Sequence, residues 1–261
     1  MIVLKTSEEI KKIKKSCQLV GKYLQLVIDI IENEGIGFTT WELNEIATLF
    51  ARDNGAIAAF KGYKGFPYAI CASKNSEIVH GMPSKEPLKE GDILSVDFGI
   101  LLDGYYGDSA ITIPVGKVSK EAELIIKVGQ ECLYKGISAL YDGVRLNKIS
   151  HIIQTHAETN GYAVIREFVG HGVGKELHED PQLANFTRHP NEGIILKKGT
   201  VIAIEPMIAA GDHNLSMDKN GWTARTGDGS LSVHWEHTVA ITEKGPEILS
   251  LREDEEWEKF E

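Results

Sequence analysis

The sequence has no run of about 18 apolar residues, so no helix of it can cross a bilayer. It shows no secretory signal either, because Met1-Ile2-Val3-Leu4-Lys5 leads straight into a charged segment. Cysteine is scarce: Cys17, Cys71 and Cys132 have neither metal-type nor paired spacing. That excludes a disulfide framework and fits a reduced, cytoplasmic compartment. Positive charge is in deficit, with Lys+Arg 28 against Asp+Glu 38 and a net charge of -10, which argues against broad nucleic-acid binding. What the 261 residues do contain is 42% apolar and 25% charged side chain, enough to offset chain entropy in one large domain or two ordinary ones.

Helix signals come in two pairs. Thr6-Ser7-Glu8-Glu9 reads as a capping box, followed by Ile10, Ile13, Cys17, Val20, Leu24, Val27 and Ile31 at helical spacing, with Gly35 as the expected stop. A second box, Thr39 to Glu42, opens a shorter helix ending at Asn54-Gly55. The plan repeats from Ser119 to about Asp142-Gly143, and again from Leu146 to Glu158, ending at Asn160-Gly161. Lys11, Lys12, Lys14 and Lys15 read as a solvated face of the first helix. The run Arg252 to Glu261 sets six acids against two bases and reads as a solvated helix end or frayed tail.

The repetition extends to strands. Leu88-Lys89-Glu90-Gly91-Asp92-Ile93-Leu94-Ser95-Val96-Asp97 lies over Leu196 to Glu205, an offset of 108 residues. Asp108-Ser109-Ala110-Ile111-Thr112-Ile113 lies over Glu236 to Ile241, an offset of 128. The second half thus carries 20 extra residues between Met207 and Trp235. A single unit over 1–261 follows, with half-repeats of about 1–115 and 116–250.

Side chains alternate across a strand. One face of these segments carries Leu94, Val96, Ile111, Ile113, Ile202, Ile204, Val239 and Ile241. The other carries small residues and one carboxylate each: Asp97, Asp108, Glu205 and Glu236. A lone acid there would be an edge residue with a lysine partner. Four at duplicated positions would repel strongly, and two divalent cations would neutralise them. Phe168-Val169-Gly170-His171-Gly172-Val173-Gly174 sets a histidine among glycines and offers a neutral ligand. An oxygen-rich set with one imidazole suits Mn²⁺, Fe²⁺, Co²⁺ or Zn²⁺.

With these residues assembled, the chain resembles the type I methionine aminopeptidases, in their short bacterial-type form, of the pita-bread metallopeptidases of family M24. The resemblance is carried by Asn75 to Pro83 (NSEIVHGMP), Asp97-Phe98-Gly99, Gly107-Asp108-Ser109-Ala110, Gly170 to Gly174, His178-Glu179-Asp180-Pro181, Ile204-Glu205-Pro206-Met207 and Trp235-Glu236-His237-Thr238. It implies an α+β pita-bread fold, a curved antiparallel sheet covered by two pairs of helices with a pseudo-two-fold repeat. It implies that Asp97 binds one metal, that His171 and Glu205 bind the other, and that Asp108 and Glu236 bridge them.

By the same resemblance, Glu205 takes the proton of the attacking water, His178 contacts the substrate carbonyl, and His80 contacts the scissile amide nitrogen. Tyr63, Phe66, Cys71, His80 and Trp222 match the methionine pocket, with Phe60 and Leu177 as further wall positions. Asn75 and Ser232 match positions that hold a monovalent cation in some members. The implied substrates are nascent chains that begin with methionine before a small residue. The implied setting is a cytoplasmic monomer with no membrane contact and a transient ribosome contact. Two alternatives stand beside this: a proline-directed peptidase of the same fold, and a non-catalytic binding module.

Overall fold

The computed structural model describes residues 2–257. Helices α1 (Ser7–Glu34) and α2 (Thr40–Asp53) come first, then strand β1 (Ile57–Ala58) and one 3₁₀ turn (Tyr63–Gly65). Strands β2 (Ile70–Lys74), β3 (Glu77–Val79), β4 (Ile93–Leu102) and β5 (Tyr105–Pro114) complete this stretch. The order then restarts with α3 (Lys120–Ser138), α4 (Leu146–Thr159), β6 (Ala163–Val164), β7 (Val169–Gly172), β8 (Glu179–Ala184) and β9 (Val201–Ile204). The longer connection folds into β10 (Met207–Ala209), β11 (Leu215–Met217), β12 (Ala224–Thr226) and β13 (Ser232–His234), ahead of β14 (Glu236–Thr242) and β15 (Gly245–Ile248).

Both capping boxes form: Thr6 and Thr39 accept from the backbone N–H of Glu9 and Glu42, whose side chains accept from the cap residues. Helix α1 stops at Gly35 as expected, though not in the expected conformation, and α3 stops early. Gly35 caps α1 in a right-handed conformation, and the left-handed turn falls at Gly37 (φ 91°). Glycine is still required at 35, because a Cβ there would press onto the Ile31 carbonyl of the preceding turn. Helix α3 ends at Ser138, ahead of the expected Asp142-Gly143, and the chain turns at Gly143 (φ 98°).

Nine strands form one antiparallel sheet with the path β1-β4-β5-β14-β9-β7-β8, with β2 added on β4 and β15 on β14. Strands β5 and β14, one from each half, are neighbours at its centre. The apolar face expected from alternation is buried against the helices: Leu94, Val96, Ile111, Ile113, Ile202, Ile204, Val239 and Ile241 share one core with Val20, Leu24, Ile125 and Ile149. The other face carries the polar groups, with Ala203 and Ala240 packed on Ile13 and Cys17 of α1.

The α1 lysines are partly engaged. Lys11 pairs with Glu8, Lys14 with Glu247, and Lys12 lies over the Tyr105 ring. The C-terminal segment departs from a solvated tail. Arg252 and Glu255 are buried, and Glu255 takes hydrogen bonds from Tyr134 and from His237 Nε2 at 3.1 Å. The apolar alternation of β14 leaves His237 facing inward, and the tail supplies its partners. Residues 258–261 of that expected tail lie outside the described residues. The three cysteines are buried and unpaired.

Candidate active site

Sheet register brings the carboxylates together. Ala110 in β5 pairs with Asp97 of β4 on one side and with Glu236 of β14 on the other. Asp108 is two residues from Ala110 and so points from the same face. Ile204, the last residue of β9, pairs with His237, which sets Glu205 beside this group. Small side chains leave the face open, and Ser95 and Thr112 fill its floor with a 2.8 Å hydroxyl contact.

His171 enters from β7. Its Nδ1 lies 3.0 Å from its neighbour's carbonyl, Gly172 O, where Nδ1–H donates and Nε2 keeps its lone pair. That Nε2 faces Glu205 Oε1 at 3.5 Å and Asp108 Oδ2 at 3.9 Å. Asp108, His171 and Glu236 each offer a ligand atom within 4.8 Å of the others.

These groups fit a cation. Asp97 Oδ1, Asp108 Oδ1 and Glu236 Oε1 are buried without hydrogen-bond partners. Metal-free, the carboxylates can remain only by holding protons. Burial first, then mutual repulsion, pushes Asp97 to about 7 and Asp108 and Glu236 well above the usual carboxylate range. Burial likewise pushes Glu205 to about 7.

The cluster borders a cavity of about 400 Å³. All five expected ligands line it, as do His80, His178, Tyr63, Phe66, Cys71 and Trp222. Phe60, Phe66, Cys71 and Leu177 form an apolar cluster separate from the main core, joined by Tyr63 and Trp222. Phe66 and Trp222 meet edge to face at 5.2 Å. Cys71 pairs with Asp97 across β2 and β4, and burial raises its thiol well above its ordinary value, so it acts as an apolar wall beside the carboxylates.

The two further histidines sit across the opening. His80 follows β3 with φ 58°, a left-handed conformation costing a non-glycine residue about 1–3 kcal/mol. Its neighbour Gly81 is pinned to β2, since its carbonyl accepts from Ala72 N–H at 2.9 Å and its N–H donates to Ser73 Oγ at 3.0 Å. Burial lowers His80 to about 4. His178 stacks on Tyr63, with Nδ1 2.9 Å from the Tyr63 hydroxyl, and its ring centre is 4.1 Å from that of His171. His178 is exposed as a residue, but its ring loses part of its water against the cavity wall, and this, then His171, lowers it to about 3. Both rings are therefore neutral near pH 7.

His234 was missed in the sequence. It lines the cavity with Nε2 unpartnered, 3.6 Å from Glu205 Oε2. It ends β13, two residues before Glu236, and that spacing in the sequence would have found it. Lys64 and Glu167 at the rim carry no comparable signal. Asn75 and Ser232 lie together outside the cavity, where Ser232 N–H donates to Asn75 O at 2.9 Å. Their side chains are already bonded, Asn75 Nδ2 to Asp92 and Ser232 Oγ to Ile208 O.

The chain is similar to known proteins in sequence and fold. A sequence profile of metallopeptidase family M24 matches residues 11–243. The methionine aminopeptidase of Clostridium acetobutylicum is 46% identical over 254 residues, covering 97% of this chain and 100% of that protein. The crystal structure of methionine aminopeptidase from Thermotoga maritima superposes with a TM-score of 0.92 at 43% identity, covering 97% and 100%. The prolidase from Pyrococcus furiosus reaches 0.75 at 26% identity, covering 96% of this chain but 66% of that one.

Proposed function

The chain belongs to metallopeptidase family M24 and, within it, to the methionine aminopeptidases, and from that premise we propose that it removes N-terminal methionine from nascent polypeptides whose next residue is small. The observation that carries this reading is one cavity lined both by the carboxylates and an imidazole and by an aromatic, thiol-bearing wall. We read residues 1–261 as one catalytic unit built from half-repeats of about 1–115 and 116–250. It acts as a cytoplasmic monomer; among the described residues no helix is long and apolar enough to cross a membrane.

Asp97, Asp108, His171, Glu205 and Glu236 would hold two divalent cations, of Mn²⁺, Fe²⁺, Co²⁺ or Zn²⁺ type, with Asp108 and Glu236 shared between them. Bound cations would polarise the first peptide carbonyl and lower the pKa of the attacking water. The rest is done by side chains. Glu205 takes the water proton. Tyr63 O–H donates to His178 Nδ1, so the neutral ring carries its proton on Nε2 and presents a donor to the oxyanion developing on the carbonyl. His80, neutral and held by its strained backbone, faces the leaving amide nitrogen. Tyr63, Phe66, Cys71 and Trp222 enclose the methionine side chain, with sulfur against aromatic edges.

The test is release of free methionine from Met-Ala-Ser and Met-Ile-Ser by chelated enzyme, with and without added Mn²⁺ or Co²⁺. Metal-dependent cleavage of the alanine peptide alone is expected. Cleavage of an Ala-Pro peptide instead would move the reading to a proline-directed peptidase, and no cleavage with any metal would move it to a binding module. The reading includes a transient ribosome contact through Lys11, Lys12, Lys14 and Lys15, which unchanged co-sedimentation after charge reversal at all four would reject.

A further inference from the structure

We propose that Lys5, in the segment ahead of α1, is a positioning residue for His178 and acts through Glu179. The inference rests on the methionine aminopeptidase reading for what His178 does, and on contacts alone for how it is held. His178 closes the turn between β7 and β8, and Glu179 is the first residue of β8.

The Glu179 carboxylate folds back over that turn. Its Oε1 accepts the backbone N–H of Lys175 at 2.8 Å and of Glu176 at 3.2 Å, and its Oε2 accepts from the ammonium of Lys5, 174 positions away in the chain. The pair is enclosed, with side chains 4% and 14% exposed. Lys5 is anchored at its other end too, since its own N–H donates to Gly199 O at 2.7 Å.

The packing admits no larger neighbour. A Cβ on Gly174 would lie 2.7 Å from Lys5 Nζ and against Glu179 Oε1, so the glycine opening this turn is where the ion pair passes. Gly174 in turn accepts Tyr106 N–H at 2.8 Å, which ties the turn to β5.

The consequence for His178 follows from what removal of Lys5 leaves. A carboxylate in an enclosed site without its counter-ion must swing into water or turn to a new partner. Either change weakens its hold on the Lys175 and Glu176 N–H groups, and the turn carrying His178 loosens. The ring keeps its Tyr63 hydroxyl contact, but the backbone between Lys175 and His178 loses the clamp on two of its N–H groups. A displacement of about 1 Å at a catalytic group can cost about a hundredfold in rate.

The experiment compares K5M, E179Q and the double variant with the parent, measuring kcat and KM on Met-Ala-Ser with saturating Mn²⁺ and the folded fraction by circular dichroism. A second readout is the imidazole ¹³Cε1 resonance of His178 in Zn²⁺-loaded protein, assigned by its loss in H178Q. K5M is expected to lower kcat about tenfold or more, to leave KM within about twofold, and to shift or broaden the His178 resonance while that of His237 stays in place. The double variant should lose no more than the worse single, because both act through one contact. If K5M folds poorly, E179Q carries the same comparison.

A folded K5M with kcat within about twofold of the parent, an unmoved His178 resonance, or losses that multiply in the double variant would overturn the proposal. Should the parent itself release no methionine, the functional reading fails, and the resonance still decides the positioning claim.

Discussion

At the scale of single residues, the site holds together only by neutralising its own charge. Asp108 shows this most plainly. It is buried, with Oδ1 unpartnered, faces His171 at 3.9 Å, and burial raises its carboxyl well above the usual range. Asparagine has nearly the same shape and no charge. D108N should therefore stabilise the metal-free chain by about 1 kcal/mol at pH 8, a rise of about 2–4 °C in Tm. The same change should weaken Mn²⁺ binding by more than about a hundredfold, beyond the loss seen when outer-shell partners of ligands are removed. Calorimetry of chelated protein and a metal-competition titration check the two halves. A D108N protein that is less stable without metal would show that Asp108 has a structural duty apart from cations. Opposite signs for stability and binding are what a site kept for function requires.

Elements explain what could and could not be read in advance. Both capping boxes were legible because Thr6 with Glu9, and Thr39 with Glu42, satisfy local backbone donors within four residues of chain. The carboxylate face was legible because alternation has period two and the duplication supplies its own control, so Asp97, Asp108, Glu205 and Glu236 could be compared in pairs. The end of α3 at Ser138 was not, and at Gly35 the stop was legible but not its cause, which is close approach to the Ile31 carbonyl rather than a left-handed turn. Long-range pairs were invisible altogether. Composition made the segment from Arg252 look solvated, yet Arg252 and Glu255 are buried against His237 of β14. Although burial opposes ionisation there, His237 and Arg252 hold Glu255 down at about 2, so the charged contact persists at neutral pH. Lys5 meeting Glu179 is the same kind of contact, set by the fold and by no local pattern.

For the whole molecule, the balance of these terms fixes how stability responds to pH and to metal. Asp97 and Glu205 are raised to about 7, and Asp108 and Glu236 well above the usual carboxylate range, so the metal-free fold binds protons that the unfolded chain, with carboxyls near 4, has released. Stability from such groups is complete below the unfolded value and is lost as pH rises through the folded one. The cavity histidines work the other way: His80 at about 4 and His178 at about 3, with the buried His234 lowered too, cost stability as pH falls below about 6.5. Between pH 7 and 8 the unfolded chain, with imidazoles at about 6.5, sheds the last of their protons, so this opposing effect is small by pH 8. The buried thiols of Cys17 and Cys132, raised to about 12, stay protonated in the folded chain, and their small contribution near pH 8 has the same sign as that of the carboxylates. The carboxylates therefore set the slope. Chelated protein should lose Tm steadily from pH 7 to 8, whereas saturating Mn²⁺ should flatten the curve, because cations replace protons as the neutralising charge. The stabilisation gained from metal should accordingly be larger at pH 8 than at pH 7. A chelated protein whose Tm does not change across that interval would mean that the four carboxylates reach solvent or counter-charges in solution, and the metal-free site would then be open rather than held shut by its own protons.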